Sequence, residues 1–157
     1  MFFGSAAPTP YDLRFSIFGI PVRVHPLFWV SAAAMGWDGD DPRNTVIWIA
    51  CVFISILVHE LGHAMTANYF RWRPDIVLYM FGGYASYVPT WQHSTGRAIL
   101  VTAAGPLAGF FLFGVVIALD ILLRIQQVQI SNYLQEAIGR LEFINLWWGL
   151  VNLLPVY

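Results

Sequence analysis

Apolar positions gather in four long runs, residues 22–37, 45–70, 97–125 and 141–157, separated by short stretches that hold most of the charge. The first run is short for a membrane span, and Pro26 suits the first turn of its helix. The second contains a single carboxylate, Glu60. The third is interrupted only by Pro106 and, at the helical rise, would extend about 43 Å, enough to cross a bilayer with tilt or a kink. Between the second and third runs, residues 76–88 are rich in strand formers: Val77, Tyr79, Phe81, Tyr84, Tyr87 and Val88, with Gly82-Gly83 in the middle. The pattern predicts an all-α integral membrane protein of about four transmembrane helices. A small re-entrant or interfacial β-hairpin should lie between spans two and three, turning at Gly82-Gly83 with positive φ.

Composition agrees with this pattern. The chain is 58% hydrophobic and only 11% charged, whereas soluble domains carry about a quarter charged residues. Lipid rather than water therefore suits its outer surface. The 7 tryptophans fit belts at the headgroup level. A net charge of -1 and the lack of a basic run point away from a nucleic-acid partner. Cys51 has no internal disulfide partner and reads as a small buried hydrophobe. Arg14, Arg23, Arg71, Arg73 and Arg97 fall on one side of the expected spans, with Arg43, Arg124 and Arg140 on the other. That bias predicts a multi-pass membrane protein with a cytoplasmic N-terminus.

Chemistry concentrates in His59-Glu60-Leu61-Gly62-His63. Histidines four residues apart share a helix face and can reach one metal ion, and Glu60 beside the first is placed to take a proton from activated water. The motif predicts Zn2+ held by His59 and His63, with Glu60 as the catalytic base. Ionisable groups inside a span are costly, which makes such a cluster a functional site by default. The competing reading is a pair of core histidines bonded to carbonyls. Ser55 and Thr66 stand near the motif, each with an ordinary helix-backbone bond as its expected role. Gly62, Ala64 and Ala67 are small enough to admit a neighbouring helix.

These motifs, in this order, resemble the site-2 protease family of intramembrane zinc metalloproteases. Phe18-Gly19-Ile20-Pro21-Val22-Arg23-Val24-His25-Pro26 is similar to that family's lead into its first helix, and His59-Glu60-Leu61-Gly62-His63 matches its zinc motif. Phe81-Gly82-Gly83 resembles its re-entrant loop, and Gly105-Pro106-Leu107-Ala108-Gly109 its Gly-Pro motif. Asn152-Leu153-Leu154-Pro155 resembles the start of its C-terminal motif. The resemblance implies that Gly82, Gly83, Gly105, Pro106 and Asn152 support the site or touch substrate. It also differs in two places. The family often carries Asn three residues after the Gly-Pro proline, where this chain has Gly109. The family's third zinc ligand is the Asp of a Leu-Asp-Gly segment, which residues 1–157 do not include. Asp120 is expected to pair with Arg124 four residues on rather than to replace that ligand.

The expectation is thus a single membrane-embedded protease core over residues 1–157, lacking its Leu-Asp-Gly segment. It would hydrolyse peptide bonds of transmembrane or membrane-tethered proteins, with the lipid bilayer as its solvent. A helical substrate hides its amides, so it must be extended before attack, and strand addition to the hairpin offers a means. The alternatives are a catalytically inactive or truncated family member, or a metal-binding membrane protein without protease activity.

Overall fold

The computed structural model describes residues 7–80, 82–87 and 94–154. Phe81, Val88, Pro155 and Tyr157, each part of an expectation above, lie outside the described residues.

The chain opens with a hairpin that periodicity did not reveal. Strands β1 (Leu13–Ile17) and β2 (Ile20–Val24) pair antiparallel across Phe18-Gly19. Phe18 has φ 52 and Gly19 φ 76, and two successive positive φ values match the right-handed strand twist, as in a type I′ turn. Residues 22–24, expected to start the first span, therefore belong to a strand. Ile20, Val22 and Val24 all face the core, which is the period-2 signal that the apolar run concealed.

Helix α1 (Pro26–Met35) follows at once, with His25 as its cap: the Leu27 amide donates to His25 Nδ1 at 3.1 Å. It has 10 residues, about 15 Å, too short to cross a bilayer by itself. Helix α2 (Pro42–Tyr69) starts at Asp41, whose carboxylate accepts from the Arg43 amide at 3.0 Å, and Pro42 fills a first-turn position where no N–H is needed. Beyond α2 come β3 (Asp75–Tyr79) and β4 (Gly82–Ser86), an antiparallel hairpin in the expected place. Its β3 strand also pairs in parallel with β2, giving a four-stranded mixed sheet in the order β1-β2-β3-β4. The architecture is mostly helical with a small sheet, not all-α.

The hairpin turn also differs from expectation. Tyr79 pairs with Gly82, so the glycines open β4 instead of forming the bend. Neither has positive φ; Gly19 is the positive-φ glycine among the described residues. Their smallness serves a close approach, described below.

Helix α3 (Thr95–Ile125) is capped by Ser94 and contains Pro106 without ending there. Helix α4 (Asn132–Leu153) is capped by Ser131 and begins nine residues before the expected start at 141. Its first half carries Gln135, Glu136, Arg140 and Glu142. Among the described residues, α2 and α3 are long and apolar enough to cross a membrane. Much of α3 turns apolar side chains outward, with Phe111 74% and Leu107 63% exposed, a surface suited to hydrocarbon. Asp120 pairs with Arg124 at 2.7 Å as expected.

Before β1, the buried Asp12 carboxylate accepts from the Thr9 hydroxyl at 2.6 Å, the Thr9 amide at 2.9 Å and Arg23 Nη1 at 3.1 Å. These bonds, the Thr9 hydroxyl first, hold its carboxyl well below the ordinary carboxylate range. A depressed folded-state value means stability that is present above the ordinary Asp pKa near 3.9 and lost as acid protonates the group. Thermal unfolding followed from pH 6 down to pH 2 should show the melting midpoint falling below about pH 4, with a smaller fall in Asp12→Asn.

Candidate metal centre

The site is assembled where α2, α3, α4 and β4 meet. Within α2 the four-residue spacing brings the two imidazoles together, with His59 Nε2 3.1 Å from His63 Nε2. His59 and Glu60 are 2% and 4% exposed, so both point into protein. Helix α3 fixes the second ring: His63 Nδ1 lies 2.7 Å from the Val101 carbonyl. A carbonyl can only accept, so this nitrogen carries the proton and Nε2 keeps a free lone pair.

The glycines make this arrangement possible. A Cβ at Gly105 would overlap the His63 ring, so the ring occupies the room that Gly105 leaves on α3. At Gly62, a Cβ would collide with the Ala104 carbonyl and come within 2.8 Å of the Ala108 methyl. Gly62 and Gly105 thus let α2 and α3 pack nearly backbone to backbone. Pro106, next to Gly105 on α3, is fully buried. From the sheet, Gly83 lies against the catalytic carboxylate candidate: a Cβ there would stand 2.9 Å from Glu60 Cγ and 2.8 Å from Leu78 Cδ2. Gly82 faces Trp148 of α4, with an added Cβ at 3.2 Å.

A cavity of about 240 Å³ joins these groups, bounded by His59, Glu60 and His63 on one side and by β4, Thr102 and Asn152 on the others. Asn152 is exposed and donates to the Trp148 carbonyl at 2.7 Å. Gly83 shares the cavity, whereas Gly82 turns to the neighbouring apolar side. Thr66 makes the expected helix-backbone bond, to the Gly62 carbonyl at 2.9 Å. Ser55 does not: its hydroxyl accepts from the Asn145 side chain of α4 at 2.9 Å. Val101, Thr102, Ala85 and Asn145 were not singled out from the sequence, since a backbone carbonyl or a helix neighbour leaves no local signal.

The donor set suits zinc. Two nitrogens bound at about 2.05 Å to one tetrahedral zinc stand about 3.3 Å apart, close to the 3.1 Å between the Nε2 atoms. His63 already has its far nitrogen tied to a carbonyl, the usual outer arrangement of a ligating histidine. Among the described residues, no group of three His, Cys, Asp or Glu side chains forms a complete metal cage.

Comparison with known proteins points the same way. No family model matches the chain. It is 29% identical over 139 residues to stage IV sporulation protein FB of Bacillus subtilis, covering 88% of this chain and 44% of that protein. A zinc metalloprotease of Methanocaldococcus jannaschii is 28% identical over 152 residues, covering 94% of this chain and 42% of that protein. The chain therefore spans less than half the length of these curated relatives. Among solved structures, a site-2 protease from Methanocaldococcus jannaschii superposes with a TM-score of 0.67 at 26% identity, over 94% of this chain and 66% of that one.

Gly105→Ala should push His63 off its position and weaken zinc binding at least tenfold in a competition titration, since a misplaced ligand forfeits its share of the site. Gly83→Val should instead leave zinc affinity within a fewfold of the parent, because the crowding falls on Glu60 rather than on a ligand.

Proposed function

We propose that this chain, a homologue of the site-2 proteases and zinc metalloproteases, is the membrane-embedded core of an intramembrane zinc metalloprotease that hydrolyses transmembrane or membrane-tethered substrates. The observation that carries the reading is the pair of converging Nε2 atoms beside the buried Glu60, all three opening on one cavity under a sheet edge. His59 and His63 would hold the metal, with the third ligand supplied by a Leu-Asp-Gly segment of the family type. A bound zinc ion supplies Lewis acidity to water and to the scissile carbonyl.

The chain's own residues do the rest. Glu60, confined between α2 and Gly83 and hydrogen-bonded by the Ala85 backbone, takes a proton from the attacking water and returns it to the leaving amine. Strand β4 is the last strand of the sheet among the described residues, so one of its edges has no strand partner there. An extended substrate segment adding there satisfies its backbone groups in a medium that offers no water to do so. Pairing also unwinds the substrate next to the catalytic groups. Asn152 lines the same cavity, and the amide hydrogen that its bond to Trp148 leaves over would serve a polarised carbonyl.

The topology follows from the same reading. Helices α2 and α3 cross the bilayer, α4 is long enough to be a further span, and α1 enters it without crossing by itself. The N-terminal strands and the β3–β4 hairpin share one sheet, so they share one side of the membrane. The Arg bias makes that side cytoplasmic.

The test is cleavage of a single-span transmembrane peptide in proteoliposomes by a chain that also carries the Leu-Asp-Gly segment. Glu60→Gln should keep zinc within a fewfold while cutting the cleavage rate about 10²-fold or more, the loss expected of a general base. His59→Ala and His63→Ala should lose both zinc and cleavage. Unchanged cleavage by Glu60→Gln refutes the assignment. Retained zinc with no cleavage by the parent favours a metal-binding protein without protease activity.

A further inference from the structure

The two candidate ligands are not supported alike. His63 Nδ1 has the Val101 carbonyl, but His59 Nδ1 is buried with no protein partner. Once His59 Nε2 gives its lone pair to a metal, the ring proton must sit on Nδ1. A buried N–H with nothing to accept it is costly, and metal-bound histidines almost always donate that proton to an oxygen.

The surroundings of Gly109 supply what is missing. A methyl group placed on Gly109 would stand 3.8 Å from the Asn145 backbone carbonyl, 3.9 Å from Asn145 Oδ1 and 4.0 Å from His59 Nδ1. The glycine is buried, so this is a methyl-sized interior space bordered by one donor and two acceptors. A water needs a space of that size and two to four polar partners. Asn145 is itself 1% exposed and held rigidly, its Nδ2 donating to Ser55 Oγ at 2.9 Å and to the Leu141 carbonyl at 2.8 Å. With both amide hydrogens spent there, Oδ1 is committed to being an acceptor at the Gly109 space.

We infer that Asn145 is a positioning residue for the metal centre: through one water held beside Gly109, its carbonyl oxygen accepts the His59 Nδ1 proton and fixes that ring for ligation. Helix α4 is thereby tied to the first ligand as α3 is tied to the second. The inference rests on the metal-site reading above.

Two measurements on the full chain in detergent test it: the zinc dissociation constant, and the protonation of each imidazole nitrogen from long-range proton–nitrogen spectra. Gly109→Ala fits without a close contact but displaces the water. It should weaken zinc about 10- to 100-fold, the usual cost of losing an outer partner, with the thermal midpoint unchanged. Gly109→Ser puts a hydroxyl where the water was and should recover affinity to within a fewfold. Asn145→Leu should weaken zinc similarly, and adding Gly109→Ala to it should cost little more, since both remove one link. In the metal-free chain the His63 lone pair makes His59 Nε2 the donor, so Nδ1 accepts from the water and its nitrogen resonance should shift in Gly109→Ala as that bond is lost. Zinc affinity unchanged by Gly109→Ala, full additivity of the two substitutions, or failure of Gly109→Ser to recover what Ala loses would overturn the inference. If His59→Ala binds zinc as the parent does, the metal-site reading itself fails. An unchanged His59 Nδ1 resonance in metal-free Gly109→Ala then overturns the Asn145 role independently.

Discussion

Nearly everything in the site depends on how closely α2 approaches α3. Two helices can bring a ring nitrogen on one to a backbone carbonyl on the other only where side chains are absent between them. Gly62 removes them from α2 and Gly105 from α3, so the His63 imidazole slots into the space over Gly105 and its Nδ1 meets Val101. In hydrocarbon there is no hydrophobic drive for helices to associate, so this close packing and the hydrogen bond across it are what hold the pair. Pro106 is buried one residue from Gly105. A proline there leaves one carbonyl of α3 without its helical partner, a cost tolerated in spans because neighbouring groups can reach the freed backbone.

The sheet gives the helical core a floor. Because β2 and β3 run parallel, the chain between them must leave the sheet and return, and that crossover is α1 and α2. Helix α2 is therefore tethered at both ends to one sheet: through α1 to β2, and through residues 70–74 to β3. Strand β4 then lies over Glu60, with Gly83 thin enough to rest on the carboxylate. The hairpin and the metal motif, separate in the sequence, become two walls of one cavity.

Some of this was legible in the residues. His59, Glu60 and His63 are close in sequence, and a helix of fixed pitch leaves them no choice but to share a face. Runs 45–70 and 97–125 became α2 and α3 nearly residue for residue, since each is an unbroken apolar stretch long enough for a helix of that length. The Asp120–Arg124 and Thr66–Gly62 pairs are local to one helix turn and follow from spacing alone. The β1–β2 hairpin was hidden because its core-facing Ile20, Val22 and Val24 merge with the apolar helix that follows. The signal was there in the alternation around Phe18-Gly19, but a run of hydrophobic residues reads as a span before it reads as a strand.

What the sequence by itself determined is therefore what short-range geometry dictates: the shared placement of His59 and His63, Glu60 beside them, the two long apolar helices and the existence of a hairpin between them. What only the tertiary structure decided is everything that depends on a partner distant in the chain. Gly82 and Gly83 looked like a turn and are instead thin places in a strand, one against Trp148 and one against Glu60. Ser55 looked like a helix-bonded hydroxyl and instead receives Asn145 from 90 residues away. The physical reason is the same in each case. A glycine or a serine has several compatible local roles, and the choice among them is made by which backbone or side chain the fold brings within about 4 Å, which no local pattern encodes.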